Sequence, residues 1–243
     1  MNTFERITKK LFQNCGILIR KYNAATSEEL RRIKLLEHYN IDLVFDIGAN
    51  KGQYATGIID AGYKNKIVSF EPLTSAYSEI KKESEKYKNW DVAPRCAIGS
   101  KKEEIEINIS ANSVSSTLLT MLDSHYEGAP DSNIIGKEKV QVFPLDEIGA
   151  EYSKNSQNIF LKIDVQGFEQ EVLKGAQNMI DKAKGIEMEI SLIPLYENQN
   201  WLLPQVLQYM EQNGFQLNSI VPAFTDNKTG VVLQCNGIFF RKK

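Results

Sequence analysis

Val44-Phe45-Asp46-Ile47-Gly48-Ala49-Asn50-Lys51-Gly52 is the stretch on which the fold of this chain turns. The apolar run at residues 41–45 has the length of a buried strand, and it leads into an acid followed by two spaced glycines. Glycine after a strand lets the backbone turn tightly and approach a ligand with no Cβ in the way. Residues 53–61 can then open a helix whose first amides face the same crevice. Strand, glycine turn and helix make the first unit of a doubly wound α/β sheet. The next strand, Ile67-Val68-Ser69-Phe70, ends in Glu71-Pro72, and that acid stands where a ribose would be held by its hydroxyls.

Further along, residues 158–163 read as the central strand, with Asp164 at its carboxyl end. Open α/β sheets bind ligands just beyond those ends, so Asp164 is expected to face Asp46 across a crevice. Residues 185–190 form the next strand, and strict alternation puts Glu187 and Glu189 on one face. Two acids on a central strand are costly unless paired or functional, and Glu189, nearer the strand end, is the site candidate. The chain closes with strands at 215–224 and 231–240 joined by Asp226-Asn227-Lys228-Thr229-Gly230, an antiparallel hairpin. Helices are expected at 74–87, at 168–179 and from Leu203 to a Gly214 cap. Short strands fit residues 90–94 and 140–143, and Ile105, Ile107 and Ile109 alternate with polar residues as in a half-exposed strand. Asp146 is placed to cap the short helix after Leu145. Residues 110–136 show no clear periodicity and read as a long loop of the kind that covers binding sites. His125 lies in it, and its near-neutral pKa makes it a candidate base.

In this order, the blocks DIGANKGQ (46–53), SFEP (69–72), CAIG (96–99), LKIDVQGFE (161–169), EVLKGA (171–176) and IEMEIS (186–191) resemble class I S-adenosylmethionine-dependent methyltransferases, and among them the FkbM family. The resemblance implies a Rossmann-like α/β sheet, mostly parallel with a C-terminal antiparallel hairpin and helices on both faces. That domain spans residues 41–243 and follows an N-terminal helical extension, residues 1–40. The implied cofactor is S-adenosylmethionine, held by Asp46, Gly48, Asn50, Gly52 and Gln53 from the first loop, by Glu71 and Pro72, by Cys96 and Ala97 on the adenine side, and by Asp164 and Val165. The implied reaction is O-methylation of a sugar, glycoconjugate or polysaccharide hydroxyl, with a polyketide or macrolide hydroxyl as the alternative. A hydroxyl needs a base to remove its proton, and the candidates are Asp164, Glu189 and His125, in that order. Gln166 stands where the family often has Glu, and this departure removes a carboxylate that a divalent metal or a base would use.

Composition sets the limits. The chain has 243 residues, 42% hydrophobic and 25% charged, which suits one α/β domain with a full core. A net charge of -2 leaves no electrostatic footprint for nucleic acid. Cys15, Cys96 and Cys235 form no C-x-x-C pair and read as reduced thiols, so the expected setting is cytoplasmic. No apolar run reaches the roughly 20 residues of a membrane span, and the N-terminus lacks the pattern of a signal peptide.

Two rival classes share the sheet. A nicotinamide-dependent oxidoreductase would need glycines where Asn50 and Gln53 stand, and acids around the cofactor suit a cationic sulfonium better than a pyrophosphate. A binding module that keeps the cofactor site without catalysis is the other rival; the intact DIGANKG and KIDVQG blocks speak against it. At the N-terminus, Phe4, Ile7, Leu11, Cys15 and Leu18 recur at helical spacing, and residues 1–22 carry five basic side chains against Glu5. Because Phe12, Ile17 and Ile19 interrupt the polar face, this segment is expected to pack on its own domain or a second subunit. The alternative is an interfacial helix touching anionic lipid or a lipid-linked substrate. A second helix should run from Thr26 or Ser27 to His38, packed through Leu30, Ile33 and Leu36, with His38 at the surface.

Overall fold

A computed structural model describes residues 3–112, 116–122, 124, 126, 129 and 131–242. The chain begins with α1 (Thr3–Asn14), α2 (Glu28–His38), β1 (Leu43–Ile47), α3 (Gln53–Asp60), β2 (Lys66–Phe70), α4 (Thr74–Ser84) and β3 (Trp90–Val92). It continues through β4 (Ala97–Ile98), β5 (Glu103–Ser110), β6 (Ile134–Phe143), α5 (Leu145–Ile148) and β7 (Ile159–Ile163). The last part holds α6 (Glu169–Lys174), α7 (Gln177–Lys182), β8 (Ala183–Ser191), α8 (Leu203–Gln212), β9 (Phe215–Thr225) and β10 (Val232–Arg241).

Seven strands form one sheet in the order β3-β2-β1-β7-β8-β10-β9. The first five are parallel, and β10 enters antiparallel between β8 and β9. Order reverses between β1 and β7, so the loops after those strands open a crevice at the carboxyl edge. Alternation along the strands divides the core into two faces. Leu43, Phe45, Ile47, Leu161 and Ile163 pack with residues of α6, α7 and α8. Val44, Ile67 and Phe160 pack with Ile33 and Leu36 of α2 and with Ala55 and Ile58 of α3. Helix α2 is thus part of the layer that covers the sheet. Ser27 caps it by accepting the Leu30 N–H at 3.2 Å. His38 at its end is exposed.

Four expectations need correction. Residues 134–136 belong to β6, not to a loop, and β6, which starts at Ile134 and not at Val140, joins β4 and β5 in a second, three-stranded sheet. The outer half of β6 is exposed, so no apolar alternation marks it. Its partner is recognised instead by backbone pairing and by cross-strand charges such as Lys139–Glu104 at 3.1 Å. The helix expected over 168–179 is broken into α6 and α7 at Gly175-Ala176, where a Cβ on Gly175 would overlap the Gly99 carbonyl. Asp146 caps the start of α7, accepting from Asn178 N–H at 3.0 Å and Met179 N–H at 2.9 Å, rather than its own helix. Lastly, the apolar pair of α1 expected to pack on its own domain or a second subunit is left largely uncovered by the rest of the chain, Ile7 and Leu11 being 54% and 62% exposed. Among the described residues no helix is long and apolar enough to cross a membrane.

Candidate active site

At the carboxyl edge of β1, β2, β7 and β8 lies a cavity of about 600 Å³, large enough for a cofactor and part of a second molecule. Its floor is the turn after β1. Gly48 has φ +75°, and a Cβ there would overlap the Asp164 carbonyl, so only glycine lets the loops after β1 and β7 touch. Asn50 also adopts a left-handed backbone, φ +47°. Its N–H donates to Glu71 Oε2 at 2.7 Å, while the Leu73 N–H donates to Glu71 Oε1 at 2.9 Å. Glu71 therefore ties the first two loops together while lining the cavity. Burial pushes its carboxyl up to about 7, against the lowering effect of the two amides.

A row of polar side chains set by strand register runs along this floor, Ser69 and Asp46 beneath it and Lys162 and Glu187 reaching the cavity. Ser69, Asp46, Lys162 and Glu187 are partners on adjacent strands β2, β1, β7 and β8. Trp90 Nε1 donates to Ser69 Oγ at 2.9 Å, and Ser69 Oγ donates to Asp46 Oδ2 at 3.2 Å. Lys162 Nζ stands 3.1 Å from Asp46 Oδ1 and 3.6 Å from Asp164 Oδ2. Burial alone would lower the Lys162 pKa, but the carboxylates outweigh it and hold the ammonium charged. Glu187 is taken up by Arg32, which donates Nη2–H to Oε1 at 2.6 Å and Nε–H to Oε2 at 2.8 Å. Tyr54 OH donates to Oε2 of the same carboxylate at 3.0 Å.

The β7 end supplies the remaining acids. Glu169 accepts Val165 N–H at 3.2 Å and Gly167 N–H at 3.1 Å, which pins the turn after Asp164; burial brings its carboxyl to about 7. The Gln166 amide donates to Asp164 Oδ1 at 2.9 Å and to Glu189 Oε2 at 3.0 Å, so one nitrogen bridges both acids. Its orientation is locked by Tyr196 OH, which donates to Gln166 Oε1 at 3.1 Å, and by Thr117 Oγ1, which donates to the Gln166 carbonyl at 2.6 Å. Gln234 adds a second amide to Glu189 Oε2 at 2.8 Å. Burial first, then Asp164 and Glu169, push the Glu189 carboxyl well up. Asp164 differs in access, its side chain being 40% exposed to the cavity.

Gly48, Asn50, Gln53, Glu71, Pro72, Cys96, Ala97, Asp164, Val165 and Glu189 all line the cavity. Asp46 and Gly52 do not. Asp46 is fully buried under the floor as the partner of Lys162, and Gly52 begins α3 with its α-carbon against Trp90. The Cys96 thiol is pushed up to about 12 by burial and serves as wall. His125 lies outside the described residues. Asn112, Ser116, Leu118 and Ala129, from the segment between β5 and β6, complete the wall.

Sequence reasoning overlooked Lys162, Arg32, Tyr54 and Gln234. A lone lysine inside Ile159-Phe160-Leu161-Lys162-Ile163 was the available signal, since a cation in a buried strand demands an acid on a neighbouring one.

The cavity's chemistry fits S-adenosylmethionine. Asn50 Oδ1 is buried with no hydrogen-bond partner among the described residues, and so offers an acceptor to a ligand's hydroxyl or ammonium. Apolar Phe70, Leu73, Ala97 and Ile98 can enclose a flat base, while Asp164 and Glu71 suit a cation. Among the described residues no three His, Cys, Asp or Glu side chains are grouped so as to hold a metal ion.

Comparison with known proteins agrees with this geometry. No curated protein matches the chain. A structure of the FkbM methyltransferase from Methylobacillus flagellatus KT is similar at a TM-score of 0.51 and 17% identity, over 83% of this chain and 44% of that one. The chain thus spans less than half the length of that relative. A SAM-dependent methyltransferase from Aquifex aeolicus matches at TM-score 0.43 and 13% identity, over 85% of this chain and 87% of that one. Precorrin-6y C5,15-methyltransferase from Geobacter metallireducens GS-15 matches at 0.44 and 12%, over 93% and 94%. The methyltransferase FkbM domain model matches residues 46–217, which run from the buried acid of β1 into β9 and take in most of the cavity lining, with Arg32, Phe224, Gln234 and Asn236 outside the match. On that match, which covers more than half of its length, this chain belongs to the FkbM methyltransferase family.

Proposed function

We propose that the protein transfers a methyl group from S-adenosylmethionine to a hydroxyl of a sugar or glycoconjugate. The observation that carries the reading is the pair Asp164 and Glu189, bridged by the Gln166 amide at the mouth of the cavity. When bound, S-adenosylmethionine supplies an electrophilic methyl on a sulfonium centre, so the protein has chiefly to align the acceptor and remove one proton. Asp164, with 40% of its side chain exposed, is the carboxylate an incoming hydroxyl reaches first, and it takes that proton as the oxygen–methyl bond forms. Glu189, withdrawn and held by two amides, keeps Gln166 in place beside it. Asn112, Ser116, Gln234 and Asn236 line the same cavity and offer the amides and hydroxyl that a polyol needs for recognition. This favours a sugar over an apolar natural product.

Calorimetric titration with S-adenosylhomocysteine, with NAD as the control, tests the donor half. Binding of S-adenosylhomocysteine alone is expected; binding of NAD alone would overturn the reading. Radiolabelled methyl transfer to a panel of glycans and macrolide aglycones tests the acceptor half. Incorporation confined to the aglycones would displace the sugar.

A further inference from the structure

We propose that α1 and the segment behind it form an interfacial anchor that lies on an anionic lipid surface. The helix is two-sided. Ile7 and Leu11 are four residues apart and share a face with Thr8 beside Leu11, while Phe12 stands about 100° further round, toward Lys9. Lys9 stands two residues from both, about 200° around the axis, with Arg6 beside it and Lys10 at the border between Arg6 and Ile7. The body of the protein does not cover the apolar side: Phe12 is 41% exposed, and Ile17, Leu18 and Tyr22 in the following segment are 50%, 60% and 74% exposed. Such large apolar side chains in water have a cost that a neighbouring apolar phase removes.

Charge distinguishes the kind of phase. Residues 1–22 hold five basic residues against one acidic, in a chain of 29 basic and 31 acidic, so the remainder is acidic by 24 against 30. A basic amphipathic helix on an acidic body is drawn to negatively charged lipid while the body is repelled from it, which sets the helix as the point of contact. A second copy of the chain is the weaker occupant. A stable interface takes about 800 Å² and some 20–30 residues from each partner, and α1 is a single helix of 12 residues. A lipid surface needs no matching relief. It accepts Ile7 and Leu11 among its acyl chains while Arg6, Lys9 and Lys10 reach the headgroup phosphates.

The test is sedimentation of the full chain with vesicles of phosphatidylcholine alone or mixed with phosphatidylglycerol, at low and high salt. The protein should sediment with the mixed vesicles, and raising the salt should release it. The paired substitutions Ile7→Glu with Leu11→Glu, and Lys9→Glu with Lys10→Glu, should each reduce the bound fraction about tenfold or more. S-adenosylhomocysteine titration of the same variants should be unchanged, because none of these side chains lines the cavity. That titration reads the cavity alone, so failure of the methyltransferase reading and failure of the anchor are separable. No sedimentation with anionic vesicles would overturn the proposal, as would equal binding to neutral ones. A concentration-dependent dimer in the ultracentrifuge that the Ile7→Glu, Leu11→Glu pair abolishes would assign the face to self-association instead.

Discussion

Asp46 and Lys162 face each other in register on two parallel central strands, and their charged atoms lie 3.1 Å apart with the Asp46 side chain 0% and the Lys162 side chain 10% exposed. Removing Lys162 leaves buried Asp46 with Ser69 Oγ at 3.2 Å and no cation, and removing Asp46 leaves Lys162 with the more distant Asp164 at 3.6 Å. Lys162→Met should therefore destabilise the fold by about 3–5 kcal/mol, whereas Asp46→Asn combined with Lys162→Met should recover part of that loss. Urea denaturation of the wild type, both single variants and the double variant completes the cycle. Additive losses would show that the pair does not couple.

Gly48 is the second point of no tolerance. A methyl group there meets the Asp164 carbonyl, and the backbone sits at φ +75°. Gly48→Ala should lower stability by roughly 1–3 kcal/mol and, by pushing the two loops apart, weaken S-adenosylhomocysteine binding. Gly62→Ala is the control, since φ +109° strains that turn too, but nothing stands within 4 Å of its Cβ. It should cost stability without touching ligand affinity.

Glu71 makes stability depend on pH. Its carboxyl is raised from 4.5 to about 7 by burial, so between those values the folded state binds a proton that the unfolded chain has released. Its contribution is full below about pH 4.5 and is lost as pH rises through about 7. Glu71→Gln cannot titrate. The deficit of the variant against the wild type should shrink by on the order of 1–3 kcal/mol between about pH 5 and pH 7.5. Denaturant midpoints across that range measure it, and a constant deficit would mean that the carboxyl is not raised.

Asp164 and Gln166 should separate chemistry from positioning. Asp164→Asn should cut kcat about 100-fold or more, well beyond any loss of S-adenosylhomocysteine affinity from the missing charge. Gln166→Glu adds a third acid at the nitrogen that bridges Asp164 and Glu189. It should raise the acidic limb of the pH–rate profile, because like charges that close cannot all ionise. An Asp164→Asn enzyme with wild-type kcat would move the base to another residue.

Much of the architecture could be read in the chain. The apolar runs, the glycines after β1 and the Asn227–Gly230 turn marked the parallel core and its closing hairpin, because buried strands and tight turns each select residues by local sterics. Of the cavity-lining members, Gly48, Glu71, Pro72, Asp164 and Val165 stand one or two residues past strand ends, where the same rule marks them, whereas Cys96 and Ala97 were implied by the family resemblance. Failures fell where partnership decides the outcome. The outer half of β6 became strand through cross-strand bonds and charge pairs with β5. Asp146 looked like a cap for the helix it begins, and caps the one that comes to lie against it.

Strand positions, glycine turns and the acids at the crevice thus follow from local spacing in one chain. The roles of those acids do not. Asp46 and Asp164 end neighbouring strands and look equivalent in sequence, yet one is sealed beneath the floor by Lys162 and the other stands open to the cavity. Glu187 and Glu189 share a strand face, yet Arg32 from α2 neutralises the first and the amides of Gln166 and Gln234 hold the second. Each distinction depends on which distant side chain arrives opposite. That is set by sheet register and helix docking, which maximise burial over the whole chain and leave no mark in the few residues around any one carboxylate.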